Sequence, residues 1–181
     1  MDGCVGRMHN FVMGHGVGKE TSSVLVSCVL MTLLRELKGQ STVVLVMDCC
    51  ATGYNALMDW LVHFVVDELK WVKNMGLVYF WNSHGKGPAD SKFSNHLSLY
   101  DDSNIFSMEM WAHLIEGVEN KRTKEKDTST ILTSSGLDDW RDFATRRTGG
   151  WIPFPECIQF KEVAHHEVRM CRLWGGVRSF W

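Results

Sequence analysis

The chain has 181 residues, 45% of them hydrophobic and 22% charged, which excludes a disordered protein and suits one domain with a real core. Its six cysteines form no regular framework, and no basic stretch followed by an apolar core opens the chain, so neither a secreted disulfide scaffold nor a secretory signal is expected. The net charge is −2, with eight Lys/Arg against thirteen Asp/Glu in residues 1–120 and eleven against eight in residues 121–181, which excludes a self-sufficient nucleic-acid binder but leaves a basic C-terminal part.

In chain order, residues 10–15 (Asn-Phe-Val-Met-Gly-His) predict one short strand. Thr21 or Ser22 can cap a helix running to about Lys38, with Val24, Cys28, Met31 and Leu34 on one face and Gly39 as the stop. The Val-rich run 43–47 then predicts a strand buried on both faces, the pattern of a parallel sheet, with Asp48 at its end. After the Ala-Thr-Gly turn at 51–53, Leu57, Trp60, Leu61, Phe64, Val65 and Leu69 mark an amphipathic helix over 54–73. Residues 77–81 predict the next buried strand. Pro88 interrupts the loop after it, and a helix starting near Ala89 or Asp90 runs to about Leu99. Residues 105–119 predict a further helix with Ser107 as cap, and 121–130 a charged, solvated loop. Pro153 and Pro155 precede two short alternating segments, 157–163 and 167–173, which predict a small hairpin. Arg35, Asp48, Asp59 and Asp67 break the longest apolar stretches and argue against a membrane span.

Helix, strand, helix, strand, helix with short links is a crossover unit. In an open parallel sheet it places Asp48 and Asp90 at the carboxyl edge of the strands, where α/β proteins build their sites. Two carboxylates meeting there would hold Mg²⁺, which binds through one or two carboxylates plus substrate phosphates. Each has an ordinary explanation too, since Asp also caps turns after strands and favours the first turn of a helix. His84 could orient a carboxylate or phosphate, or be a solvated loop residue. Gly14-His-Gly-Val-Gly-Lys-Glu-Thr resembles a phosphate-binding P-loop, but only three residues separate Gly14 from Gly18, Met13 stands where the first glycine belongs, and Glu20 occupies the hydroxyl position. A glycine-rich turn into a helix explains that segment. His165 and His166 with Cys157 and Cys171 do not make a zinc spacing, because adjacent histidines cannot easily face one ion. Trp111, Trp140, Trp151 and Trp174 are expected to pack rather than stack on bases.

The run Met47-Asp48-Cys49-Cys50-Ala51 and the stretch Ser83-His84-Gly85-Lys86-Gly87-Pro88-Ala89-Asp90-Ser91-Lys92-Phe93, in this order of elements, resemble the second half of an RNase H-like fold. More narrowly they resemble the RNase H-like core of eukaryotic transposon-derived proteins of the DDE transposase kind. Ile105-Phe106-Ser107 and Asp139-Trp140-Arg141-Asp142-Phe143 are similar to that family's downstream pattern. The resemblance spans roughly residues 20–145. Gly53-Tyr54 and Ser83 depart from it at positions near the active edge.

The resemblance implies a partial RNase H-like α/β fold over residues 1–120, with parallel strands and crossover helices, and a basic, Trp-containing α+β extension over 121–181. It implies Asp48 and Asp90 as metal ligands, His84 as a phosphate-orienting group, Mg²⁺ or Mn²⁺ as cofactor, and DNA as a partner through the basic C-terminal part. The first Asp of such a centre lies on the central strand, next to the Asp48 strand. Nothing before residue 20 supplies it, so the chain reads as N-terminally truncated relative to the family and weak or inactive. The alternatives are a catalytically dead binding or structural remnant and, further off, a P-loop-like nucleotide binder. An intracellular setting, nuclear or cytoplasmic, is expected.

Overall fold

The computed structural model describes residues 7–14, 22–48, 56–80, 88–116, 118, 126–133, 139–149, 158–160 and 168–174. It is a mixed α/β protein. The chain divides into two compact units, Met1–Lys19 with Lys86–Leu137, and Glu20–Gly85 with Asp138–Trp181.

In the second unit, α1 (Ser22–Glu36) leads into β2 (Thr42–Asp48), α2 (Ala56–His63) into β3 (Asn74–Phe80), and α5 (Trp140–Thr148) precedes β5 (Ile158–Phe160) and β6 (Val168–Trp174). β2 and β3 are parallel neighbours in unbroken register from Thr42 opposite Asn74 to Asp48 opposite Phe80. β6 pairs antiparallel with β3 on its other side and β5 pairs antiparallel with β6, so the sheet order is β2-β3-β6-β5. The predicted C-terminal hairpin therefore exists, but it extends the sheet rather than standing apart from it.

The core of this unit lies between the sheet and its helices. Val26, Leu30 and Leu33 of α1 meet Leu57, Met58, Trp60, Leu61 and Val65 of the second helical segment and Met75, Leu77 and Tyr79 of β3. The buried stripe of α1 is the expected one in part: Val24 is buried and Cys28 and Met31 half-buried, but Leu34 is 64% exposed, and Val26, Leu30 and Leu33 face the core. Because α1 is apolar on more than one side, spacing alone does not single out its buried face. β2 is corrected as well. Val43, Leu45 and Met47 pack against the core, but Val44 and Val46 are 44% and 52% exposed, so one face of this strand is open.

The helix expected over 54–73 changes character halfway. After α2 the residues Phe64–Glu68 form a π-helical turn, with Leu69 N–H donating to Phe64 O at 2.8 Å and Trp71 N–H to Val65 O at 3.1 Å. The segment ends at Lys70, whose φ of 54° is left-handed.

Sequence reading left α5 out, although both of its ends carry signals. The Asp139 carboxylate accepts the Asp142 N–H at 3.0 Å, and Gly149 ends the helix at φ 68°. Asp139→Ala is expected to lower stability by about 1 kcal/mol. Urea denaturation checks this, and faster hydrogen exchange at Asp142 would show that the loss is local.

In the first unit, β1 (His9–Met13) and β4 (Thr128–Leu132) form a two-stranded parallel sheet, and α3 (Pro88–Asp101) and α4 (Met108–Glu116) belong to the same unit. Pro88 opens α3, where its missing N–H breaks no helical bond. Ser107 caps α4 as expected, its hydroxyl accepting Met110 N–H at 3.2 Å, although the helix begins at Met108. Val12, Ala112 and Ile115 form a small core with Met108, Trp111 and Ile131. The 121–130 loop is corrected in part, because its last residues begin β4. The Thr-Ser-Thr start of this strand is half-buried.

Candidate functional site

Asp48 is the last residue of β2, and because β2 and β3 run parallel, their carboxyl ends share one sheet edge. The edge follows from local physics. The apolar Val-Val-Leu-Val-Met run makes the strand, and α2 returns the chain so that β3 pairs beside it. The side chain of Asp48, all of His84 and the thiols Cys49 and Cys50 lie outside the described residues. Asp90 is the third residue of α3, near a helix N-terminus that favours negative charge, and its side chain also lies outside them. Asp48 and His84 belong to the second compact unit and Asp90 to the first. Most of the glycine-rich segment 14–21 and the His165–His166 pair are likewise outside the described residues. Among the described residues no three His, Cys, Asp or Glu side chains gather as a metal-holding group.

Sequence reasoning missed a buried acid–base pair in the first unit. His96 of α3 and Asp127 just before β4 are each 2% exposed, with Nε2 and Oδ2 3.6 Å apart, an ion-pair distance rather than a hydrogen bond. The other carboxylate oxygen of Asp127 accepts the Met8 N–H at 3.1 Å, and Thr128 N–H donates to Met8 O at 2.9 Å. The pair therefore sits where the entries to β1 and β4 are tied together. No spacing could have revealed it, since His96 and Asp127 are distant in sequence and each looks like a surface residue.

Two cations of α5 are engaged. Of the basic C-terminal residues, Arg146 pairs with Asp142, while Arg147 pairs with Glu68 and lies 5.6 Å from the centre of the Phe143 ring. Burial pushes the Cys28 thiol up to about 11, which disfavours its thiolate. Trp140 packs, as expected, against Trp60, Phe64 and Phe143, and its indole N–H donates to Ser27 Oγ at 2.7 Å. No helix among the described residues is long and apolar enough to cross a membrane.

At the other end of β2 and β3, Gly39–Ser41, Val66, Asp67 and Lys70–Lys73 line an open cleft of about 740 Å³. Comparison of the chain with known family models, curated proteins and solved structures finds no match.

Proposed function

We propose that this chain is a transposon-derived RNase H-like domain, related to the metal-dependent nucleases and strand transferases that act on DNA. The observation that carries this reading is the parallel β2–β3 pair, joined through a helix, with Asp48 at its carboxyl end. That is the position at which such an enzyme holds Mg²⁺ or Mn²⁺. When bound, the metal would polarise a phosphodiester and activate a water or a 3′-hydroxyl. Asp48 is the metal ligand in this reading. His84 keeps the role that the resemblance implies, a phosphate-orienting group. The basic residues after 121 supply the DNA contacts, with Arg141 the exposed cation of α5 whose side chain has no ion pair described for it.

The activity of the chain as encoded is weak or absent. In an RNase H-like core the first Asp comes from a central strand that lies against the Asp48 strand. Among the described residues β2 pairs with β3 alone. Among the described residues no carboxylate lies on the strand beside Asp48, and without one the clamp on attacking and leaving oxygens would be incomplete.

A second reading, a catalytically inactive binding or structural remnant, draws on the same strand. β2 ends the sheet order and exposes Val44 and Val46, a surface suited to packing against another strand or chain.

Incubation with DNA and Mg²⁺ or Mn²⁺ separates the two. The nuclease reading expects slow, metal-dependent cleavage that falls to the metal-free background in Asp48→Ala, with Asp90→Ala tested on its own. Absence of Mn²⁺ binding by calorimetry at millimolar metal, together with absence of cleavage, would leave only the remnant.

A further inference from the structure

The cleft beneath β2 and β3 is built from two connections in the same unit. One is the α1–β2 link with Gln40 and Ser41. The other is the turn after the π-helical segment, with Asp67, Lys70, Trp71 and Lys73. The lips are joined by main-chain bonds, since Lys73 N–H and Asn74 N–H both donate to Ser41 O, at 2.9 and 3.0 Å. Its volume falls within the range of small-molecule sites, roughly 300–1,000 Å³. It opens before Thr42, at the far end of the seven-residue β2 from Asp48, so it is independent of the carboxylate edge. At roughly 3.3 Å per residue the two ends are about 20 Å apart.

We propose that this cleft binds a nucleotide unit, with the phosphate held by the Lys70 and Lys73 ammoniums and the base against Trp71. Three observations lead to this. The lining combines two exposed lysines, the exposed polar residues Gln40 and Ser41, and a half-buried tryptophan, which are the donors and the flat apolar surface that a phosphorylated base requires. The one acid of the lining, Asp67, is engaged with His63, its Oδ2 lying 2.8 Å from His63 Nδ1. The third observation is conformational. The position after a helix end that takes a left-handed φ normally carries Gly or Asn, and Gly39 on the opposite lip follows that rule at φ 91°. Lys70 breaks it at φ 54°. A long cation kept at a strained position beside a π-helical turn points to a role for its side chain.

The rival explanation is that Lys70 only ends its helix, because lysine near a helix C-terminus also interacts favourably with the last carbonyls. Lys70→Gly distinguishes the two, since it removes the ammonium while relieving the left-handed strain and so does not threaten the fold. Calorimetry on the whole chain with inorganic phosphate, adenosine monophosphate and an oligothymidylate provides the measurement. Nucleotide is expected to bind more tightly than phosphate. Lys70→Gly and Lys73→Ala should each weaken nucleotide binding about tenfold, the size of one charge-assisted hydrogen bond, and Arg7→Ala in the other unit should leave it unchanged. Tighter binding of the oligonucleotide than of the monophosphate would place the nucleotide within a single strand, and the converse would make it a free metabolite. Equal affinity for phosphate and nucleotide overturns the part given to Trp71. Binding of none of the probes, or binding unchanged in Lys70→Gly, overturns the site.

Discussion

Trp60→Ala is expected to destabilise the second unit by about 3–5 kcal/mol, among the largest effects any single truncation can have in this chain. Trp60 is 1% exposed. Its ring stacks on Phe64 at a centroid distance of 4.8 Å, meets Phe143 edge-on at 5.9 Å and lies 6.2 Å from Trp140. Alanine would leave a void bounded by three aromatic rings that cannot collapse without moving α2 against α5. For a chain of this size the loss corresponds to a fall in Tm on the order of 10 °C. Trp60→Phe is the informative partner. Among the described residues the buried Trp60 indole N–H has no hydrogen-bond partner. Phenylalanine removes that unsatisfied donor along with some volume, so its effect should be only about 1 kcal/mol. Thermal denaturation of both variants checks the pair, and a Trp60→Phe loss as large as that of alanine would show that the indole N–H is satisfied after all.

Asp127→Ala is expected to have the second large effect, roughly 3 kcal/mol on the first unit, because it removes a buried acceptor and leaves the polar groups around it unpaired. The substitution takes from Met8 N–H its acceptor at 3.1 Å and leaves the buried His96 ring facing a cavity. Asp127→Asn keeps an oxygen for Met8 while removing the charge, and should lie well below the alanine effect if the hydrogen bond dominates. Equal losses in the two would assign the stabilisation to the interaction with His96 instead. Urea denaturation measures the sizes. Hydrogen exchange at the Thr128 amide, which donates to Met8 O, reports whether the β1–β4 junction opens first.

How much of this was legible beforehand can be seen in particular elements. The succession α1, β2, α2, β3, α3 follows from apolar runs and helical spacing, because periodicity and strand length are local properties. Ser107 as a cap was readable for the same reason. The full buried side of α1 was not, since the helix is apolar on more than one side and only the packing of the core selects Val26, Leu30 and Leu33 beside Val24. β4 escaped because Thr-Ser-Thr carries no burial signal of its own. Its partner β1 lies 119 residues away, at His9 beside Thr128. α5 escaped because its helix is short and polar, and its Asp139 and Gly149 caps are each a single-residue signal.

The same division holds for the candidate sites. By itself the sequence determined that an Asp ends a strand and another begins a helix, since both placements depend on a few neighbouring residues. Only the tertiary structure decided that β2 ends its sheet with Val44 and Val46 exposed, that Asp48 and Asp90 belong to different compact units, that His96 and Asp127 are buried together, and that Lys70 and Trp71 border a cleft with Gln40 and Ser41. Each of these depends on which distant segments pack, and that is set by the summed burial of a whole core rather than by any local pattern.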